Sequence, residues 1–78
     1  MRILNLDTDK SVNEIILFLT PSEASELVAA LQVILKKPSD HVHVSNEDFT
    51  KEVTVCIYDP KKLDHFDERS RKIILTGE

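Results

Sequence analysis

Glycine is nearly absent from this sequence: among 78 residues the only one is Gly77. Phosphate-binding loops and dinucleotide-binding fingerprints need several glycines, because their backbone must turn tightly and approach the phosphates closely. The G-x-S-x-G motif that presents a nucleophilic serine is excluded for the same reason. The chain therefore lacks the glycine-dependent signatures of nucleotide-binding and hydrolytic enzymes.

Cysteine is equally scarce, since Cys56 is the only one and an intramolecular disulfide needs two. Small secreted domains usually carry several disulfides, because their cores are too small to stabilise them alone. The first ten residues contain no apolar run like that of a signal peptide. No apolar run is longer than that of residues 15–19, which is far shorter than the roughly 20 residues that cross a bilayer. These features predict a cytoplasmic protein without a membrane segment.

Positive charge is in deficit, because ten Lys and Arg residues face fourteen Asp and Glu residues and give a net charge of −4. A basic face is the usual footprint of a nucleic-acid binder, so the charge balance argues against that class. Tryptophan is absent as well, and the core must come mainly from aliphatic side chains. At this length we expect one small domain, 1–78, with a modest core.

The clearest local pattern is that of an amphipathic helix over residues 20–37. Thr20 and Glu23 have the spacing of a capping box, and Pro21 suits the first helical position. Apolar residues then recur at helical spacing: Ala24, Leu27, Val28, Leu31, Ile34 and Leu35. We expect this stripe to be the inner face of the helix. Pro38 ends the pattern.

Strand-like patterns surround this helix. They lie at 2–6, 14–19, 41–45, 52–58 and 73–76. The first two are predicted to pair as a hairpin and so are the next two, while 60–67 favours a turn or a short helix. The element order is then β-β-α-β-β-β. The sequence predicts an α+β fold with a mostly antiparallel sheet of about four to five strands and one long helix packed on one face.

The second hairpin carries the most specific chemical prediction. Because side chains alternate along a strand, one face should hold the apolar residues of both strands: Val42, Val44, Val53, Val55 and Ile57. On the opposite face, a short loop would place His41 beside Cys56. It would likewise place His43 beside Thr54, with Tyr58 further along the same face.

Two imidazoles and a thiol on one face make His41, His43 and Cys56 candidates for a metal site or a reactive thiol. A structural zinc site needs about four ligands, and this face offers at most three of the usual types. A catalytic thiol also needs a base and an oxyanion site, and nothing in the sequence marks the latter. The ordinary interpretation is a solvent-facing sheet surface, so we expect no cofactor and no catalytic residue.

Basic residues cluster in the last third of the chain. They are Lys61, Lys62, Arg69, Arg71 and Lys72. Contacts with nucleic-acid phosphates are one interpretation of residues 61–72. The other is a solvated face, which Asp64, Asp67 and Glu68 favour because they intersperse opposite charge. No aromatic platform for stacking bases accompanies the cluster, and this also favours the solvated face.

The outer face of the predicted helix is less polar than a helix that faces only water requires. Its partner-contact candidates are Glu26, Ala29, Val33 and Lys37. The leading hypothesis is therefore a small non-catalytic interaction or regulatory module that binds a protein partner or a second copy. An immunity-type or antitoxin-type inhibitor of a larger protein is one concrete form, because an acidic chain suits a basic target. A metal or thiol enzyme and a weak nucleic-acid binder are the alternatives.

Overall fold

The computed structural model describes residues 1–78 without a gap. Two short strands precede a helix, two longer strands and a second helix. In chain order these are β1 (Leu4–Asn5), β2 (Lys10–Ser11), α1 (Pro21–Lys36), β3 (His41–Ser45), β4 (Glu52–Cys56) and α2 (Glu68–Thr76). The fold is therefore α+β, with two helices and two antiparallel two-stranded sheets, β1–β2 and β3–β4. The predicted single sheet of four to five strands is not formed.

The chain divides into two compact units. One consists of Phe18–Tyr58 and contains α1, β3 and β4; we call it the central unit. The other consists of Met1–Leu17 together with Asp59–Glu78 and contains β1, β2 and α2; we call it the terminal unit.

Local capping determines where α1 begins. The Thr20 hydroxyl accepts a hydrogen bond from the backbone N–H of Glu23 at 3.2 Å, and the Glu23 carboxylate accepts one from the N–H of Thr20 at 2.8 Å. This reciprocal pair satisfies two N–H groups that a helix start otherwise leaves without partners. At the other end, the N–H of Lys37 donates to the carbonyl of Val33 just before Pro38. The predicted capping box is confirmed.

The core of the central unit lies where α1 packs against β3. Ile34 and Val44 are its buried side chains. Leu27 and Ala30, which lie on the same side of the helix as Ile34, are half-buried. Leu31 is exposed, so the prediction that the whole apolar stripe faces inward is wrong. A two-stranded sheet is too narrow to cover a helical stripe more than about 100° wide, and only one edge of the stripe is covered.

The terminal unit departs most from the predicted strands. Its hairpin is short, with Leu4 opposite Ser11 and Asn5 opposite Lys10. The Asn5 side chain accepts hydrogen bonds from the N–H groups of Asp7 and Thr8, which closes a tight turn after β1. This turn gives β1 a nearby partner in β2, so residues 14–19, which we expected to be that partner, form no strand.

The predicted last strand, 73–76, is instead the end of α2. Asp67 caps this helix by accepting a hydrogen bond from the N–H of Ser70 at 2.7 Å. Gly77 ends it in the left-handed conformation, at φ 80°, and donates its N–H to the carbonyl of Ile73. The β-branched Ile73 and Ile74 favour a strand by propensity, but the two caps and burial of both side chains decide for a helix.

Residues 60–67 form turns and the N-cap of α2, so of the two predicted alternatives, a turn or a short helix, the structure has the turn. The N–H of Lys62 donates to the carbonyl of Asp59, and the N–H of Phe66 donates to the carbonyl of Leu63. Leu63 is buried together with Ile73 and Ile74. These three side chains are the core of the terminal unit.

We expect Asp67→Ala to lower the free energy of unfolding by about 1 kcal/mol at neutral pH, because the α2 cap is lost. Hydrogen bonds from the side chain and the backbone of Ser70 hold the pKa of Asp67 below its usual value of 3.8. A lowered folded-state pKa contributes stability above the unfolded pKa, and this contribution disappears as the pH falls through the folded pKa. The difference between the variant and the wild type should therefore shrink below about pH 4.

Urea unfolding at a series of pH values measures this effect. Asp64→Ala is the control, since Asp64 is an exposed carboxylate in the same segment that caps no helix. A pH-independent loss of stability in Asp67→Ala would show that charge at the cap contributes nothing.

Candidate functional site

The exposed face of the β3–β4 hairpin carries the predicted polar residues in the predicted register. His41 pairs with Cys56, and His43 pairs with Thr54. All four side chains are exposed, whereas Val42, Val53 and Val55 are half-buried and Val44 is buried on the other face. The prediction of register and faces is confirmed. Tyr58 lies beyond the end of β4 and is half-buried.

A hydrogen-bonded cluster orients His43 on this face. Its Nδ1 lies 3.0 Å from Oε1 of Glu52 and 2.8 Å from Oγ1 of Thr54. An ionised carboxylate only accepts hydrogen bonds, so we assign a proton to Nδ1. The His41 ring meets the His43 ring edge-on, with centroids 4.8 Å apart. Glu52 was missing from the predicted site, although its spacing from Thr54 already placed it on this face.

The cluster does not have the composition of a metal centre. Nowhere in the chain do three or more His, Cys, Asp or Glu side chains converge in a way that could hold a metal ion. The remaining histidine, His65, stacks on Phe66 in the terminal unit, with ring centroids 4.3 Å apart. The hairpin face thus supplies a carboxylate–imidazole pair of the kind that orients a single metal ligand, without a complete set of ligands.

We expect equimolar Zn²⁺ to leave the melting temperature of this protein unchanged, because this face does not supply the roughly four ligands of a structural zinc site. Calorimetry on protein purified without an affinity tag measures the shift. His43→Ala is the matched variant, since it removes the best-oriented imidazole. A rise in the wild-type melting temperature that His43→Ala abolishes would contradict this expectation and establish a metal site.

Two of the five basic residues in the predicted cluster are engaged within the terminal unit. Arg69 donates from Nε to Oδ1 of Asp9 at 2.7 Å, and from Nη2 to the carbonyls of Asp9 and Glu78. Arg71 donates to the carbonyl of Phe66 at 2.9 Å. The other three, Lys61, Lys62 and Lys72, are exposed. Arg69 therefore joins Asp9, in the turn before β2, to Glu78, which follows the C-cap of α2. Because this arginine has a structural role, fewer cations remain to contact a phosphate backbone.

The outer face of α1 is exposed, in agreement with its predicted orientation. Its members are Glu26, Ala29, Val33 and Lys37. A second exposed surface of α1 is more apolar than the outer face. It lies on the side of the helix next to the residues that pack against β3. There Val28 is 57% exposed and Leu35 is 70% exposed, and Leu31 lies between them. Together with Ala24 they form the α1 stripe, whose four positions follow one another at intervals of four, three and four residues.

The α1 stripe was visible in the sequence but was interpreted as core. Helical spacing shows that Ala24, Val28, Leu31 and Leu35 share one side of the helix. It does not show how much of that side the rest of the chain covers. The missing information was the width of the sheet beneath the helix.

A third apolar feature is Phe49 in the loop between β3 and β4. The Asn46 side chain bridges this loop, donating to Thr50 at 3.0 Å and accepting from the N–H of Lys51 at 3.0 Å. Phe49 has a φ of 58°, a left-handed conformation that costs a bulky residue free energy, and its ring is exposed. Hydrogen bonds from the side chain and backbone of Thr50 lower the pKa of Asp48. The loop therefore presents an aromatic side chain from an ordered turn.

Neither helix is long and apolar enough to cross a membrane. No protein-family model matches this chain, and it has no significant match among curated proteins or solved structures.

Proposed function

We propose that this protein is a small non-catalytic interaction module that binds a basic protein partner through the α1 stripe. The observation that supports this most directly is the exposure of Val28, Leu31 and Leu35 along one continuous line of the helix. Contiguous exposed apolar surface on a small protein marks an interaction site more often than scattered single residues do.

The residues next to the α1 stripe are of the kind that border a protein–protein interface. Ser25 and Gln32 border it on one side, and both are neutral and polar. An apolar centre with a polar border is the usual anatomy of a protein–protein interface. Removing one leucine side chain of this kind from water contributes about 1.5–3 kcal/mol, so the stripe can supply a substantial part of a binding free energy.

Charge indicates which kind of partner the stripe takes. The central unit contains six acidic and three basic residues, so it carries −3 of the chain's net −4. A partner with basic residues around an apolar surface would be attracted to this unit before contact, and its association rate would fall with added salt. An immunity-type or antitoxin-type inhibitor of a larger basic protein is one concrete form of this function.

A cytoplasmic location is part of the same proposal. It is supported by the composition, because a chain with one cysteine has no disulfide framework of the kind that small secreted domains use. Fractionation of the source cells with an antibody against the protein tests it.

The proposal is tested by comparing two polar variants of α1. Val28→Gln combined with Leu35→Gln changes the α1 stripe, and Val33→Gln changes a residue of the outer face whose exposure is close to that of Val28. Both variants should fold like the wild type, because the altered side chains already face water. Crosslinking followed by affinity purification should recover a basic partner with the wild type and with Val33→Gln, but not with the stripe variant.

Recovery of the same partner with all three proteins would contradict the assignment to the α1 stripe. Loss of the partner only in Val33→Gln would move the site to the outer face, with Glu26, Ala29 and Lys37 as its other members. A partner whose association rate does not change between low and high salt would contradict the charge argument.

A further inference from the structure

The exposed face of the β3–β4 hairpin holds two imidazoles side by side, and neither belongs to the α1 stripe. His41 and His43 are two residues apart on β3, so their side chains leave the same face of the strand. Their ring centroids are 4.8 Å apart. Two imidazoles bound next to each other on one ion have centroids about 4.5–5 Å apart, given metal–nitrogen bonds of about 2.0–2.1 Å. The observed spacing is therefore that of a pair of metal ligands.

A second observation is that His43 is held in the tautomer that a metal ion requires. Its Nδ1 lies 3.0 Å from Oε1 of Glu52 and 2.8 Å from Oγ1 of Thr54. With the proton on Nδ1, the lone pair of the neutral ring is on Nε2. A carboxylate that accepts the other N–H is a usual partner of a metal-ligating histidine, because it fixes the ring and makes the ligating nitrogen more basic. Glu52 and Thr54 thus prepare Nε2 of His43 as a ligand.

We propose that His41 and His43 chelate one late first-row divalent ion, Cu²⁺ or Ni²⁺, with water in the remaining positions. Imidazole nitrogen suits both ions, and both accept a square or tetragonal arrangement that combines nitrogen and oxygen ligands. No third side chain of the usual types converges on this pair, so the ion is exchangeable and open to water. The expectation for Zn²⁺ is unaffected, because a structural zinc site needs about four protein ligands.

Binding requires one movement on this face. The two rings meet edge-on, with an interplanar angle of 78°, so the His41 ring must turn until one of its nitrogens points at the same ion as Nε2 of His43. The terminal torsion of a histidine side chain has broad minima, and His41 is exposed, so this rotation costs little free energy. His43 keeps its position, because its two hydrogen-bond partners already orient it.

Titration calorimetry with Ni²⁺, on full-length protein prepared without an affinity tag, measures the binding. Ni²⁺ is the probe because Cu²⁺ oxidises thiols and Cys56 is exposed. We expect saturation at one ion per chain. His41→Ala and His43→Ala should each lower the affinity by about tenfold or more, because each leaves a single imidazole. His65→Ala is the control and should bind like the wild type, since His65 is an exposed histidine of the terminal unit.

A second pair of variants tests the role of the carboxylate. Glu52→Ala should weaken Ni²⁺ binding by about 10–100-fold, the usual effect of removing a group that orients a ligating histidine. Glu47→Ala is the matched control, because it removes an exposed carboxylate from the loop between β3 and β4. All the altered side chains are exposed, so every variant should keep the fold, and circular dichroism checks this.

Three results would overturn the proposal: no binding of Ni²⁺ by the wild type, an affinity that both His41→Ala and His43→Ala retain, or an equal loss in His65→Ala. Saturation at one ion for each of the three histidines would mean binding to single imidazoles and would also contradict the chelate. An unchanged affinity in Glu52→Ala would contradict the orienting role of the carboxylate. None of these outcomes affects the α1 stripe, so the proposed function stands or fails separately.

Discussion

Ile34→Ala should lower the free energy of unfolding by about 2–5 kcal/mol, the range measured for removing a large buried aliphatic side chain. Ile34 is 1% exposed and is the only side chain in the protein below 2%. A chain of this size is stabilised by only about 5–10 kcal/mol in total. The loss would therefore leave a partly unfolded population at room temperature, and urea denaturation followed by far-UV circular dichroism measures it.

Val33→Ala is the matched control for this prediction. It shortens a β-branched side chain at the neighbouring position of α1, where the residue faces water. Alanine is also the better helix former, so we expect a change within about 0.5 kcal/mol. Equal losses in the two variants would mean that α1 does not use Ile34 as its anchor on β3.

Ile73→Ala should have a comparable effect on the terminal unit, again about 2–5 kcal/mol. Ile73 is 5% exposed and shares its core with Leu63 and Ile74. In α2, alanine has the higher helix propensity, so the measured loss equals the loss of buried contacts less a small gain in propensity.

Leu75→Ala is the control, because Leu75 lies on the exposed side of α2. Hydrogen exchange read out residue by residue shows where each variant acts. We expect Ile73→Ala to lower the protection of α2 amides, and Leu75→Ala to leave it unchanged. If Leu75→Ala lowered the protection more than Ile73→Ala did, the assignment of the buried face of α2 would be wrong.

Of the candidate functional features, the hairpin face was the most predictable. Its register depends on a side-chain period of two and on the length of one loop, and both are local properties of the sequence. The predicted opposition of His41 to Cys56 and of His43 to Thr54 follows from these alone. The orientation of His43 by Glu52 required the structure, because it depends on rotamers.

The exposed apolar surfaces were not predictable in the same way. The α1 stripe and residues 15–19 both have the composition of core; the first was predicted to be the inner face of the helix, and the second was predicted to be part of a strand. Burial depends on what other elements lie nearby, and here a two-stranded sheet and a short hairpin leave much of the apolar surface uncovered. The feature that carries the proposed function is therefore one for which the local pattern predicted the wrong environment.

The capping box of α1 and the register and faces of the β3–β4 hairpin could be predicted from the sequence. These depend on residues within a few positions of one another, or joined by one short loop. Tertiary structure alone decided that Ile73 and Ile74 lie in a helix, that Leu31 is exposed, and that residues 15–19 have no strand partner. The physical reason is that an apolar pattern specifies a preference for burial, whereas burial itself requires a second surface within reach.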